Sequence, residues 1–292
     1  VEDIRCHWLV NAISCSASSD VIYLIARHND VEVIAYDEMK YLLWDEEVKA
    51  AEPARGMTQN ITHVKADEVW DLGYTGEGVM VAVIDTGVNF NHIDLADHLW
   101  DGGEEYPNHG YNTFENSHDL TDGYNHGTHC AGIVCGDGTS GQITGVAPDA
   151  KLMTVKIVGR AGSGTVAQML SGVQFAIDNK AKILSMSLGF KHYQISTAQK
   201  ESIRYAFDNV LAAGVIVCAA AGNDGNNYGA PNNIDFPAAC PSPWRNPDQT
   251  LTGGLSSVVC VGAYDLGMSS RGPSTWEGTS YNDYIIETEL FR

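Results

Sequence analysis

Residues 79–87 read Val-Met-Val-Ala-Val-Ile-Asp-Thr-Gly, and this stretch decides the architecture that we predict. The six consecutive apolar residues 79–84 are typical of a strand that is buried on both faces of a sheet. The run stops at Asp85, and Gly87 permits the turn that follows. Strands of this kind belong to parallel sheets. We therefore expect Asp85 at the carboxyl edge of the sheet, where ligands bind in open α/β folds.

Further apolar runs follow along the chain and alternate with segments of helical periodicity. The other predicted strands are 151–158, 183–188, 215–220 and 258–263. The predicted helices between them are 126–134, 166–179 and 197–213. This alternation predicts an α/β fold with a doubly wound, mostly parallel sheet and helices on both faces.

Residues 1–50 differ from the rest of the chain and form a small α+β block. The predicted elements in and after this block are a strand at 8–14, a helix at 18–26, a strand at 31–36, an exposed linker at 40–60 and a surface helix at 62–72. A strand, a helix and a strand do not complete a domain. We therefore divide the chain into a partial first domain, 1–50, and a main domain, 51–292.

The composition describes a globular protein, since 44% of the 292 residues are hydrophobic and 18% are charged. Asp and Glu outnumber Lys and Arg by 37 to 17, which gives a net charge of −20 and argues against a nucleic-acid partner. No apolar run approaches the roughly 20 residues that a membrane span requires. The seven cysteines are an odd number without a Cys-x-x-Cys pair, so we predict neither a metal cluster nor a disulfide framework.

A second stretch, His-Gly-Thr-His-Cys-Ala-Gly at 126–132, is predicted to begin a closely packed helix. His126 would then stand at a helix N-terminus, which disfavours a positive imidazolium, so we expect a neutral general base. Asn223 follows the predicted strand 215–220, and its amide could stabilise an oxyanion at the same sheet edge as Asp85.

Two further stretches indicate a peptide-binding slot. Gly162, Ser163 and Gly164 follow the strand predicted at 151–158. Ser187, Leu188 and Gly189 end the strand predicted at 183–188. Two backbone edges with a slot between them would bind an extended peptide as an added strand.

Asp85-Thr86-Gly87, the stretch 126–132 and Ala221-Gly222-Asn223 resemble, in this order, the three leading motifs of the subtilisin-like serine proteases, the subtilase family. The resemblance covers residues 60–275. It implies a serine endopeptidase in which Asp85 orients His126, His126 takes the proton of a serine, and Asn223 donates to the oxyanion. It also implies that 162–164 and 187–189 flank the peptide and that Gly222 lines a specificity pocket.

The resemblance further implies partners for the chain. Residues 1–50 are similar to the second half of a subtilase pro-segment, which folds the protease and blocks its groove, with cleavage within 37–60. Peptide or protein substrates and the chain's own pro-segment are the expected partners, secretion is expected, and no cofactor is required. Asp94 matches one calcium ligand of the family, but 137–144 lacks the family's Asn-rich segment. Calcium stays an alternative, and no metal ligand set is predicted.

The family places its nucleophile in Gly-Thr-Ser-Met-Ala, at the start of a long buried helix. Two Gly-Thr-Ser triplets occur here, at 138–140 and 278–280. The first is too early, and Ser280 precedes polar residues and stands too close to Arg292 for such a helix. We therefore predict that the nucleophile is missing, that the chain is incomplete at both ends, and that it is inactive alone. Two alternatives stay open, namely that Ser280 is used or that the protein is a non-catalytic peptide binder on a subtilase scaffold.

Overall fold

The computed structural model describes residues 1–42, 55–223, 234–240 and 257–262. The strands are, in chain order, β1 (Glu2–His7), β2 (Ala12–Ser16), β3 (Lys40–Tyr41), β4 (Gly56–Met57), β5 (Met80–Asp85), β6 (Gly110–Asn112), β7 (Gln142–Ile143), β8 (Lys151–Lys156), β9 (Ser163–Gly164), β10 (Ile183–Met186), β11 (Ile216–Ala220) and β12 (Val259–Val261). The α-helices are α1 (Ser19–Ile25), α2 (Gln59–His63), α3 (Ala66–Trp70), α4 (His126–Cys135), α5 (Val166–Asp178) and α6 (Thr197–Ala212).

A six-stranded sheet with the order β12-β11-β10-β5-β8-β6 forms the centre of the molecule, and every pairing within it is parallel. From β5 the chain forms the edge strand β6 and then β8 on one side of β5, and it crosses to β10 on the other side. The strand order therefore reverses at β5, and Asp85 ends that strand beside the crevice where such sheets bind ligands. This confirms the predicted doubly wound sheet.

Helices cover both faces of the sheet, as predicted. Alternate residues of β5 point to opposite sides. Ala82 and Ile84 belong to the larger core, together with apolar side chains of α5 and α6. Val81 and Val83 belong to a smaller core with Ala131 of α4. The β5 run is apolar throughout because neither of its faces reaches water.

Capping residues explain where α5 and α6 begin. Thr165 and Ser196 each accept a hydrogen bond from the backbone of the glutamine three residues later, and that glutamine accepts one in return. These capping boxes satisfy N–H groups that the first helical turn leaves without partners. The predicted bounds of α4, α5 and α6 agree with the structure to within one residue. No helix in the described ranges is long and apolar enough to cross a membrane.

The first block differs from the prediction in two of its strands. The strand predicted at 8–14 is wrong over residues 8–11, because a 3₁₀ helix (Trp8–Val10) and the left-handed Asn11 (φ +48) turn the chain there, and only residues 12–14 belong to a strand, β2. The strand predicted at 31–36 is also wrong, since within the described residues that segment joins no sheet. The helix α1 lies within the predicted range.

The structure also differs from three further expectations. The helix predicted at 62–72 is two short helices, α2 and α3, separated by Lys65 in the left-handed conformation (φ +60). The predicted linker 40–60 contains β3 and β4, while 43–54 lies outside the described residues. Sequence patterns missed β6, where a Cβ at Gly110 would lie 1.7 Å from the Thr154 carbonyl oxygen, so only glycine fits.

Candidate active site

Two side chains form a buried, hydrogen-bonded pair at the carboxyl edge of the sheet. Asp85 is the last residue of β5 and is 1% exposed, and His126 is the first residue of α4 and is 7% exposed. The distance between His126 Nδ1 and Asp85 Oδ1 is 2.8 Å. Because Nδ1 is engaged by the carboxylate, Nε2 is the ring nitrogen left for proton transfer. The structure thus brings together the two residues predicted as base and orienting carboxylate.

Glycine at position 127 allows α4 to approach the end of β5 this closely. A Cβ at Gly127 would lie 2.1 Å from the Gly87 carbonyl oxygen and 3.1 Å from the Asp85 Cβ. Any larger residue would force the helix away from the strand end and separate His126 from Asp85. The small residues in 126–132 therefore set the geometry of the pair.

Asp122 fixes the loop before His126, and sequence analysis missed it. Its Oδ1 accepts from the Thr86 hydroxyl and the Asn125 N–H, both at 2.8 Å. Its Oδ2 accepts from the backbone and hydroxyl of Thr128 at 2.8 and 2.6 Å. Thr86 in turn accepts from the Gly127 N–H at 2.9 Å. The sequence pattern that could have indicated this cap is Asp122-Gly123, four residues before the start of α4.

The charge state of His126 differs from the prediction. Burial disfavours the imidazolium, but the hydrogen bond to Asp85 and the charge of that carboxylate outweigh it and raise the pKa of His126 above its ordinary value. The prediction of a neutral imidazole considered only the helix N-terminus and left out the carboxylate of Asp85, which favours the imidazolium. Asp85 therefore stabilises the imidazolium, which is the form that the ring takes after it accepts a proton.

Cys130 is a third side chain at this pair that sequence analysis did not identify. Its sulfur lies 3.8 Å from His126 Nδ1, one helical turn further along α4. Ligand atoms of Asp85, His126 and Cys130 all lie within 4.8 Å of one another. The four-residue spacing of His126 and Cys130 on one helix was the signal for this proximity.

The two predicted backbone edges lie on either side of a segment of the same chain. β3 pairs antiparallel with β9. The Leu42 N–H donates to the Gly162 carbonyl at 2.9 Å, and the Gly189 N–H donates to the Leu42 carbonyl at 3.3 Å. Leu42 is 2% exposed, Leu188 is buried, and Ser187 is half-buried. Residues 40–42 therefore occupy the slot between 162–164 and 187–189 as an added strand.

The remaining predicted residues have different surroundings. Asn223 and Gly222 follow β11 at the carboxyl edge of the sheet and are half-buried, and Gly222 has a φ of +103°. The Asp94 carboxylate accepts hydrogen bonds from the backbone and hydroxyl of Ser140. Calcium at Asp94 stays an alternative. Ser280 lies outside the described residues.

These features define an α/β protein with a buried Asp–His pair and, at the same edge of the sheet, a slot that holds residues 40–42 as an added strand. Comparison with known proteins gives the family, because the Subtilase family matches residues 76–284. The chain belongs to the subtilase family. The predicted family is therefore confirmed.

Several relatives are similar over the main domain. Subtilisin DY of Bacillus licheniformis is 35% identical over 213 residues, which is 73% of this chain and 66% of the relative. Subtilisin E of Bacillus subtilis (strain 168) is 33% identical over 198 residues, 68% of this chain and 48% of the relative. The major intracellular serine protease of the same species is 34% identical over 185 residues, 63% and 54% of the two chains. The matched region thus spans between about half and just under two thirds of these relatives.

Proposed function

We propose that the protein is a subtilisin-like serine endopeptidase that hydrolyses peptide bonds. The observation that carries this proposal is the 2.8 Å hydrogen bond between Asp85 and His126 beside a slot that already holds an extended strand. A general base next to a bound peptide backbone is the arrangement that acyl transfer requires.

The proposed mechanism assigns one task to each residue. Nε2 of His126 removes the proton of a serine hydroxyl as the oxygen attacks the peptide carbonyl, and later returns that proton to the leaving amine. The buried Asp85 carboxylate stabilises the imidazolium formed between these steps. The Asn223 amide donates a hydrogen bond to the oxyanion of the tetrahedral intermediate. The backbone edges at 162–164 and 187–189 hold the substrate as a strand, with Gly222 at the pocket.

The serine that completes this mechanism is assigned outside the described residues, either at Ser280 or beyond Arg292. A fluorophosphonate probe tests this assignment, because it labels an activated serine covalently. Labelling of the 292-residue chain that disappears in Ser280→Ala would identify Ser280. Labelling only of a chain extended by its native downstream sequence would place the nucleophile beyond Arg292. If neither protein is labelled, the protease proposal fails and the peptide-binding alternative is favoured.

We also propose that the first block, residues 1–50, acts as an inhibitory pro-segment. Its contacts with the main domain support this role. Leu42 fills the slot, Leu9 is 1% exposed in the larger core, and its carbonyl accepts from the Asn209 side chain at 2.6 Å. Asp37 accepts from the first N–H groups of α5. A peptide substrate and residues 40–42 cannot occupy the slot together.

The test of the pro-segment is competition for that slot. A peptide of residues 1–42, added to the active main domain, should inhibit competitively against a fluorogenic peptide. The same peptide with Leu42→Asp should inhibit far less, because the buried position would receive a charge without a partner. Equal inhibition by both peptides would contradict the assignment.

Secretion is proposed from the family resemblance, although one relative is named as an intracellular protease. Fractionation of the source cells with an antibody against the main domain would test it. Activity confined to the cell interior would contradict secretion.

A further inference from the structure

A second group of side chains with metal-binding chemistry lies away from the Asp–His pair. Asp97, His98 and Asp137 place one imidazole nitrogen and two carboxylate oxygens within 4.8 Å of one another. Asp97 and His98 lie on the segment between β5 and β6, and Asp137 lies two residues beyond α4. The ten residues of α4 span about 15 Å, so the group stands at the opposite end of that helix from His126.

His98 is the central member of the group. It is 7% exposed, and its backbone carbonyl accepts from the Leu152 N–H of β8 at 2.8 Å, which ties it to the central sheet. Its Nε2 is buried and forms no hydrogen bond of acceptable geometry with any described residue. A buried polar nitrogen without a hydrogen bond is unfavourable unless another partner, such as a cation, satisfies it.

The distances around Nε2 match a tetrahedral metal site. Nε2 lies 3.3 Å from Asp97 Oδ1 and 3.6 Å from Asp137 Oδ2. Zinc binds nitrogen and oxygen at about 2.0–2.2 Å, so ligand atoms at the corners of a tetrahedron are about 3.3–3.6 Å apart. Both nitrogen–oxygen distances fall in this interval, although neither pair forms a hydrogen bond.

The two carboxylates suit the roles of fixed and adjustable ligand. Asp137 accepts hydrogen bonds from the backbone and hydroxyl of Thr139 at 2.9 and 2.8 Å, which fix its orientation. The Asp97 side chain is 70% exposed and can rotate to complete the tetrahedron, and solvent can supply the fourth ligand.

We propose that Asp97, His98 and Asp137 bind a divalent transition metal, with zinc as the ion that fits best. The imidazole nitrogen favours zinc over calcium, which takes six to eight oxygen ligands at longer distances. The metal would join the loop after α4 to the segment between β5 and β6 and would therefore be structural. Sequence analysis predicted no metal ligand set, so this site is an addition to it, and the proposal does not depend on the protease assignment.

The test measures zinc binding to the intact 292-residue chain by equilibrium dialysis with zinc chloride alone, followed by metal analysis. We expect one zinc ion that is bound by these residues. His98→Gln and Asp137→Asn should each weaken its binding by at least about tenfold. His92→Gln is the matched control, because His92 lies 4.0 Å from Asp94 on the same surface but outside the group, and it should bind zinc like the wild type.

Asp97→Asn tests the site with a substitution that should not disturb folding. Asp97 is exposed, so its substitution should leave the melting temperature without metal unchanged while reducing the zinc-induced rise in melting temperature. A chain that takes up no zinc would overturn the proposal and favour an imidazolium held between two carboxylates. Equal binding by wild type and His98→Gln would overturn it as well.

Cobalt substitution separates this site from the group of Asp85, His126 and Cys130. Cobalt bound by one imidazole and two carboxylates should give visible bands without the near-ultraviolet charge-transfer band of a thiolate ligand. Those bands should persist in Cys130→Ala and disappear in His98→Gln. A thiolate band that is lost only in Cys130→Ala would assign the metal to the catalytic pair and refute the proposal.

Discussion

Replacing Asp37 by alanine should uncap the first turn of α5. The Thr165 hydroxyl accepts only from the Gln168 N–H, at 3.2 Å. The two carboxylate oxygens of Asp37 accept from the Val166 and Ala167 N–H groups, each at 3.1 Å. Because the first N–H groups of a helix have no partner within the helix, Asp37 supplies the acceptors that Thr165 cannot reach.

The size of the effect follows from the capping geometry. A side-chain cap contributes about 0.5–2 kcal/mol, and a negative charge at a helix N-terminus adds about 0.3–1 kcal/mol. The Asp37 side chain is exposed, so water competes with it and screening reduces the charge contribution. We expect a loss of about 1–2 kcal/mol. This corresponds to about 5- to 30-fold faster exchange at the two capped amides.

Hydrogen–deuterium exchange followed by NMR at single-residue resolution measures this loss. The Val166 and Ala167 amides should exchange faster in Asp37→Ala, while the Gln168 amide, capped by Thr165, should keep its rate. Asp30→Ala is the matched control, because Asp30 is an exposed carboxylate in the same block and contacts only the nearby His28 among the hydrogen bonds and ion pairs described.

Two results would refute this reasoning. Unchanged exchange at Val166 and Ala167 would show that the Asp37 carboxylate does not cap α5. Equal acceleration at Gln168 would show that the whole helix end opens, so that Asp37 acts through the docking of residues 1–42 rather than through a local cap.

Three other substitutions test the site and its supports. Asp85→Asn should lower the pKa of His126 toward its ordinary value in an NMR titration. Because folding raises the pKa of His126 in the wild type, the stability that this pair contributes is complete below pH 6.5 and is lost as pH rises through the folded-state pKa. The free energy of unfolding of the variant should lack this pH dependence. Gly127→Ala should lower the free energy of unfolding by about 1–3 kcal/mol or more in urea titrations, whereas Gly132→Ala, whose Cβ would have 3.8 Å to its nearest neighbour, should be tolerated. Leu9→Ala should destabilise the docked first block by about 2–5 kcal/mol, seen as faster limited proteolysis; truncating an exposed isoleucine of the same hairpin should have no such effect.

The central sheet could be predicted because its strands are buried on both faces. Such strands must be apolar throughout, so runs like 79–84 stand out from a single sequence. The short strand β6 could not be predicted in this way, since three residues carry no periodicity. Its position depends on the close approach of Gly110 to the backbone of β8.

Tertiary contacts explain the errors outside the sheet. The segment 62–72 has a helical pattern, but α2 and α3 are anchored separately, through the Asn60 side chain to the Thr144 carbonyl and through the Trp70 indole to the Val146 carbonyl. The segment 31–36 alternates like a strand, yet a strand requires a partner, and the sheets of the described residues offer it none. The local sequence pattern encodes neither the separate anchoring of the two helices nor the lack of a partner strand for 31–36.

The candidate site was predictable where motifs fall at the ends of strands and helices. Asp85 and His126 could be placed because one ends a buried strand and the other begins a helix. Asp122, Cys130 and His98 were missed because their roles depend on neighbours that only the folded chain brings together. Asp122 caps a helix from outside it, and His98 meets Asp137 across 39 positions of sequence.

The charge of His126 shows how magnitudes decide between two opposing effects. A helix N-terminus disfavours a positive charge by about 0.3–1 kcal/mol, and by about 2 kcal/mol in favourable buried geometry. Two opposite unit charges about 4 Å apart attract by about 4 kcal/mol at an effective dielectric constant of 20. Asp85 is 1% exposed, and its Oδ1 lies 2.8 Å from the imidazole, so little water screens the pair. The carboxylate therefore prevails over the helix terminus, and we expect the acid limb of the proposed hydrolysis to lie at higher pH in the wild type than in Asp85→Asn.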